Sequence, residues 1–264
     1  AEMGSINPVV IMPSATQSEK GWAKAYAQSV TLGAGQFCTN PGLVLGIKGQ
    51  GWTAFSETLA AEVNTVGASC MLHPKMAENY QDLRMDFLRQ DAVTQLTAAQ
   101  EENGTAYSSG AVAKVNALDF RANESLRREV FGPFTLLVTC EDTEDLIRTL
   151  STLEGQLTAS FLGSEKEMQS NPEVLDLLSV KSGRVLVNGV PTGVEVCPSM
   201  QHGGPFPATT DSRFTSVGTD SVKRWVRPIA FQNLPHELLP QALRNENPLG
   251  ILRLVNGVWT ADAV

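Results

Sequence analysis

Clustered positive charge, long apolar runs and paired cysteines are what this 264-residue sequence lacks. Lysine and arginine number 20 against 28 acidic residues, for a net charge of −8, and the basic residues are scattered. A nucleic-acid groove needs concentrated positive charge, so no nucleic-acid partner is expected. No run approaches the roughly 20 apolar residues that span a bilayer, and no secretory apolar stretch opens the chain, so no membrane association is expected. Cysteines stand singly at positions 38, 70, 140 and 197. They form no disulfide framework, which fits a reducing, cytoplasmic setting. Cys70-Met71-Leu72-His73 and Cys197-Pro198-Ser199-Met200-Gln201-His202 lie too far apart for a zinc finger, and no metal is expected. A Gly-rich dinucleotide fingerprint is also missing.

What is present describes a packed globular chain. Apolar residues make up 42% and charged residues 18%, enough for one large or two ordinary domains with a sizeable core. Strand-like and helix-like segments alternate. Strands are expected at 6–12, 43–47, 111–120, 134–140, 157–162 and 185–187, and helices at 19–32, 52–66, 74–89, 142–150 and 172–180. Pro13 to Thr16 reads as a turn, with Thr16 or Ser18 capping the helix that follows. The pattern predicts an α/β fold with a mainly parallel sheet and flanking helices. Residues 190–220 are rich in Pro, Gly, Ser and Thr and read as a long functional loop. The tail from Asn233 ends in a strand candidate over 250–258. Cys70 and Cys140 are expected in the core.

The stretch Gly35-Gln36-Phe37-Cys38-Thr39-Asn40 falls between a helix and a strand. Gly33 and Gly35 end the helix and let the backbone approach something closely. A thiol at such a junction is either a small buried residue or a nucleophile held by rigid elements.

Taken with two other motifs, this stretch resembles the active-site cysteine segment of the aldehyde dehydrogenase superfamily. Glu129-Val130-Phe131-Gly132-Pro133 resembles that family's E-[IV]-F-G-P motif, and Ala1-Glu2-Met3-Gly4-Ser5 the end of its L-E-L-G-G segment. Gly4-Ser5-Ile6-Asn7-Pro8 with Thr31-Leu32-Gly33-Ala34-Gly35-Gln36-Phe37-Cys38 is most similar to the branch that acts on α-ketoglutarate semialdehyde. Long-chain fatty aldehyde dehydrogenases share much of that pattern. The resemblance implies a catalytic domain over 1–232 and a tail over 233–264 that packs on a cofactor or oligomerisation region. It also implies that a cofactor-binding half precedes this chain, because the family's catalytic glutamate lies mid-chain and here is residue 2.

The resemblance assigns roles residue by residue. Cys38 would be the nucleophile and Glu2 the general base, with a pKa raised by partial burial. Without the resemblance Glu2 is a solvated terminal residue. Glu129 and Phe131 would hold the nicotinamide side of NAD or NADP; otherwise they read as a surface charge pair with Arg128 and a core residue. Phe37, Asn188 and His202 would face the aldehyde substrate. Asn188 follows a strand, where sites on α/β sheets collect, yet it also reads as a loop cap. His202 replaces an aromatic residue before Gly203-Gly204 and favours a polar aldehyde; alternatively it is an exposed loop histidine. The implied activity is NAD(P)-dependent aldehyde oxidation by a homo-oligomer or with a complementing half, and the isolated chain is expected to be inactive. The competing reading is a fragment without redox activity, binding a partner or acting as a residual thiol esterase.

Overall fold

The computed structural model describes residues 1–17, 21–102, 104–193 and 195–264. Residues Ser18 and Glu19, expected to cap and open a helix, lie outside them. Two units are resolved, Ala1–Arg224 and Trp225–Val264. In the first, the chain runs β1 (Pro8–Ile11), α1 (Pro13–Thr16), α2 (Trp22–Thr31), β2 (Leu43–Ile47), α3 (Gln50–Thr65), β3 (Ser69–Cys70) and α4 (Pro74–Leu88). It continues through β4 (Thr94–Gln95), β5 (Tyr107–Ser108), β6 (Ala111–Asn116), α5 (Ala117–Ala122), β7 (Phe134–Cys140) and α6 (Thr143–Ser151). Then come β8 (Gln156–Leu162), α7 (Glu165–Ser170), α8 (Pro172–Lys181) and β9 (Ser182–Val187). In the second unit, β10 (Arg253–Val255) and β11 (Val258–Thr260) form an antiparallel hairpin, and the Asn247 side chain donates to the carbonyls of Ile251 and Ala261.

Seven strands form one sheet in the order β4-β6-β7-β2-β1-β8-β9, parallel except for β4 at the edge. Both faces are covered, so the strands are almost continuously apolar, as in Val9-Val10-Ile11 and Leu43-Val44-Leu45. Alternate side chains point to opposite faces. Val9, Ile11, Val44 and Leu137 pack on α2 and α3, through Tyr26, Val30, Phe55 and Leu59. Val10, Leu45, Leu136 and Phe161 pack on the opposite layer, through Tyr80, Phe120, Leu146 and Leu178. Each fully buried large apolar side chain contributes about 1.5–3 kcal/mol. This is the α/β fold the sequence predicts.

Boundaries differ where a polar residue caps. The strand expected over 111–120 stops at Asn116, whose side chain accepts from the Asp119 N–H at 2.8 Å and starts α5. Pro13–Thr16 is a short helix rather than a turn. The strand candidate at 250–258 is a hairpin turning at Asn256-Gly257. The helix α7 was not expected, although Ser164 and Glu167 form the capping box that announces one.

Between α2 and β2 the backbone makes three left-handed residues in succession. Gly33 and Ala34 have φ of 55° and Gly35 has φ of 66°. A residue with a Cβ costs roughly 1–2 kcal/mol in this conformation, which explains two glycines flanking the smallest chiral residue. At Gly35 space matters as well, because an added Cβ would stand 2.2 Å from the carbonyl carbon of Gly132. Two of the sequence motifs therefore touch backbone to backbone. The test compares two glycines of nearly equal φ: Gly21 has φ 64° with nothing within 4 Å among the described residues. Gly21→Ala should cost about 1–2 kcal/mol in denaturant unfolding and Gly35→Ala about 3 kcal/mol or more. Equal losses would show that the Gly132 contact does not constrain the fold.

Candidate active site

The parallel strands share one direction, so the segments entering β1, β2, β7 and β8 line the same edge of the sheet. Residues 1–7, the Cys38 stretch and the Glu129–Pro133 motif meet there, at the amino ends of the strands. Asn7 organises the meeting. It is fully buried, with φ 46°, and its amide nitrogen donates to the carbonyls of Cys38 and Asn40, both at 2.9 Å. Its amide oxygen accepts from the hydroxyls of Ser5 and Thr158, both at 2.9 Å. The Gln156 side-chain oxygen accepts from the N–H groups of Ile6 at 2.8 Å and Asn7 at 3.1 Å. The Asn40 amide donates to the Gly132 carbonyl at 2.9 Å, tying the cysteine loop to the Glu129 motif.

Cys38 is half-buried, and its sulfur lies 3.1 Å from Nε2 of His202. The same nitrogen lies 3.3 Å from Oε2 of Glu2. One imidazole nitrogen is thus shared by a thiol and a carboxylate. Glu2 is placed by a short pairing of residues 1–3 with 208–210, in which Met3 N–H donates to the Ala208 carbonyl and Thr210 N–H to the Ala1 carbonyl, both at 2.9 Å. The Ser216 hydroxyl lies 2.8 Å from Glu2 Oε2. His202 is held by its own N–H donating to Thr215 Oγ1 and by its carbonyl accepting from the Ser216 N–H, each at 2.8 Å. It is 4% exposed, so the exposed-loop alternative for this histidine fails.

The charges differ from the sequence expectation. Glu2 is held down at about 2, first by its hydrogen bond to His202, against the opposing effect of burial. The raised pKa expected for Glu2 is overturned because a cationic partner outweighs desolvation. His202 is raised to about 9, first by its hydrogen bond to Cys38 and then by that to Glu2. Burial instead raises Glu129, to about 7, opposed by the Ser5 N–H and reinforced by the charge of Glu2. Glu129 Oε2 lies 2.9 Å from where a Cβ on Gly4 would stand, so a side chain at residue 4 would make the end of Glu129 shift. Glu129 borders a cleft of about 600 Å³ with Gly4, Ser5, Arg127, Arg128 and Gly155.

The remaining candidates fall in different places. Phe131 is half-buried between Glu129 and Gly132. The Phe37 ring, 40% exposed, packs over Gly33 beside Cys38. Asn188 lies at the carboxyl end of β9, on the edge of the sheet away from Cys38, a strand length of about 20 Å. It has φ 52°, and its side-chain oxygen accepts from the Gly163 N–H at 3.0 Å, so it caps the turns after β8 and β9. Cys140 is buried as expected, whereas Cys70 is exposed. The only group of three or more potential metal ligands among the described residues is Glu2, Cys38 and His202, which takes one member from the two Cys/His pairs.

Sequence reading missed Arg184. It follows Gly183 near the amino end of β9, and Gly183 packs on the Gly203 carbonyl beside His202. Its guanidinium donates to the Pro191 carbonyl at 2.8 Å, yet its buried Nε has no partner and it forms no ion pair among the described residues. Burial lowers its pKa and the charge of Cys38 opposes that, so the two groups act on each other. No local pattern in Ser182-Gly183-Arg184 announces this.

These residues match a known family. Residues 1–206 fit the aldehyde dehydrogenase family model, and the chain belongs to that family. It is 42% identical over 258 residues to alpha-ketoglutaric semialdehyde dehydrogenase 2 of Azospirillum brasilense, a match covering 97% of this chain and 49% of that protein. It is 40% identical over 264 residues to alpha-ketoglutaric semialdehyde dehydrogenase of Acinetobacter baylyi, covering 99% and 50%. The chain spans about half the length of these curated relatives. Among solved structures, delta-pyrroline-5-carboxylate dehydrogenase of Mycobacterium tuberculosis shares the fold with a TM-score of 0.69 and 16% identity, over 90% of this chain and 46% of that one. Succinic semialdehyde dehydrogenase of Streptococcus pyogenes, in complex with NADP+, matches with a TM-score of 0.63 and 15% identity, over 77% and 44%.

The shared nitrogen of His202 gives a titration test. A histidine with a folded pKa of about 9 against an ordinary 6.5 stabilises the fold fully below 6.5 and loses that contribution as pH rises through 9. Glu2, at about 2 against 4.5, contributes fully above 4.5 and loses its share as pH falls toward 2. Imidazole NMR of Glu2→Gln should show His202 titrating below its wild-type value, with the alkaline loss of stability moved to lower pH. An unchanged His202 titration would refute the Glu2–His202 coupling.

Proposed function

We propose that this chain is the catalytic portion of an NAD(P)-dependent aldehyde dehydrogenase acting on a semialdehyde with an acidic far end, such as α-ketoglutarate semialdehyde. The observation that carries the reading is Cys38 Sγ at 3.1 Å from a histidine nitrogen that is also 3.3 Å from Glu2. Family membership and relatives named for α-ketoglutaric semialdehyde support the reaction class. The domain assignment proposed is residues 1–232 for catalysis and 233–264 as a tail serving assembly or the cofactor region, within a homo-oligomer.

The residues present fit the cofactor. Glu129 lines the cleft beside Gly4, where an ionised carboxylate can accept from two hydroxyls at once. Glu129 would hold the ribose beside the nicotinamide and Phe131 would pack near the ring. The bound nicotinamide supplies a hydride acceptor.

The chain's own groups perform the rest. The Cys38 thiolate attacks the aldehyde carbon, and the carbonyl π pair moves to oxygen. The backbone N–H of Cys38, without a backbone acceptor among the described residues, can donate to that oxyanion. When the hydride has left the carbon, the carbonyl re-forms as a thioester on Cys38. Acylation removes the hydrogen bond that most raises His202, so the imidazole releases its proton to solvent more readily and leaves Glu2 ionised. Glu2 then loses the cation that holds its pKa low and becomes a stronger base. Glu2 takes a proton from water, the hydroxide attacks the thioester, and the thiolate leaves with its electron pair. Acid and base strengths are set by the state of the cysteine.

Arg184 provides the counter-charge for the far carboxylate. Its cation has no acidic partner among the described residues, and a charge-assisted hydrogen bond contributes about 1.5–3 kcal/mol, or roughly 10- to 100-fold in affinity. Two assays test the reading. In the enzyme completed by a cofactor-binding half, Cys38→Ala should abolish aldehyde-dependent reduction of NAD or NADP while keeping the folded circular-dichroism spectrum, and substantial residual turnover would sink the proposal. Arg184→Met should raise KM for a carboxylate-bearing semialdehyde by roughly 10-fold or more and leave KM for a neutral aldehyde of equal length unchanged. A parallel rise for both substrates would mean that Arg184 only supports the 191–193 loop.

A further inference from the structure

We propose that Glu2, Cys38 and His202 form a three-ligand zinc site that silences the nucleophile when the ion is bound. Each residue offers one donor atom, and the three atoms lie within 4.8 Å of one another. The sulfur-to-nitrogen distance is 3.1 Å and the nitrogen-to-oxygen distance 3.3 Å. Tetrahedral zinc, with bonds of about 2.3 Å to sulfur, 2.05 Å to nitrogen and 2.1 Å to oxygen, sets those separations at about 3.6 and 3.4 Å. For the sulfur–nitrogen and nitrogen–oxygen pairs, adjustments of about half an ångström or less would bring the donors into register.

The donor set selects the ion. Thiolate and imidazole favour zinc over magnesium or calcium, which take oxygen ligands. Three protein ligands leave a fourth position for water, and the half-buried sulfur gives the ion a path in. The ligands are also held from behind. Asn7 fixes the Cys38 carbonyl at 2.9 Å, the Ser216 hydroxyl lies 2.8 Å from Glu2 Oε2, and Thr215 fixes the His202 backbone at 2.8 Å. Supports of this kind orient ligands before the metal arrives.

Binding would place the thiolate lone pair, the imidazole nitrogen and the Glu2 carboxylate on one cation. The sulfur could then attack no carbonyl, and Glu2 could accept no proton. The site is therefore an off-switch whose setting depends on free zinc, and chelation would reverse it.

The test needs neither aldehyde nor cofactor, so it stands apart from the proposed dehydrogenase reaction. The 264-residue chain is titrated with Zn²⁺ against a chromophoric chelator, with Co²⁺ as a spectroscopic substitute, and alkylation of Cys38 by iodoacetamide is followed alongside. The expected result is one ion per chain, a cobalt–thiolate charge-transfer band, and alkylation of Cys38 suppressed by Zn²⁺ but not by Mg²⁺. Cys38→Ser should lose the band, and His202→Gln and Glu2→Gln should weaken zinc by about 10- to 100-fold or more. His73→Ala, at the other Cys/His pair, should bind as wild type. Circular dichroism of each variant separates lost ligands from lost fold. No stoichiometric zinc, or zinc unaffected by Cys38→Ser and by His202→Gln in folded protein, would overturn the site.

Discussion

The buried amide of Asn7 is the constraint on which the site depends. Its two donated hydrogen bonds fix the carbonyls on both sides of Thr39, and its oxygen is spoken for by Ser5 and Thr158. A buried amide left with unpaired donors costs about 1–3 kcal/mol for each group, so the arrangement is close to all-or-none. Through it the position of the cysteine is set by β1 and β8, two central strands, rather than by the loop that carries the cysteine. The left-handed turn at Gly33–Gly35 and the Gly35–Gly132 contact then leave the loop little freedom. Rigid strands and strained turns are what hold a reactive group in place.

That construction explains why the chemistry gathers at the amino ends of the strands. Each contributing segment is an entry into the sheet, anchored on one side by a strand whose register is fixed by its neighbours. His202 alone comes from the long loop, and the loop is tied down by hydrogen bonds at Thr215, Ser216 and residues 208–210. Burial of His202 against sulfur and carboxylate raises the imidazole and holds the Glu2 carboxyl down.

Much of this was legible in the sequence, for physical reasons. The strands Leu43–Ile47 and Phe134–Cys140 stand where their continuous apolar runs put them, because a doubly covered sheet admits nothing else. Two of the three motifs identify chain segments that meet backbone to backbone. Legibility failed where a role depends on a partner distant in the chain. Asn7 falls within the strand expected over 6–12, and nothing around Arg184 sets it apart. The raised pKa expected for Glu2 followed from the general-base role that the resemblance implies, and its histidine, 200 positions away, is not legible from the sequence. Asn188 was placed at the site by the resemblance and by its position after a strand, but the parallel sheet has two edges and the cysteine lies on the other, so its alternative reading as a loop cap describes it. The capping box at Ser164 and the Asn116 cap were readable signals that the apolar periodicity overshadowed.

The glutamate beside Gly4 has a consequence for heat and buffer. Burial raises its pKa to about 7, and the nearby charge of Glu2 helps the carboxyl to keep its proton. Any ligand that requires the ionised form must expel that proton to the medium. Its apparent enthalpy of association would then track the ionisation heat of whichever buffer receives the proton. The same repulsion links the two sides of the edge: neutralising Glu2 eases ionisation of Glu129, so an event at the sulfur is felt as a change in proton inventory across the sheet entrance.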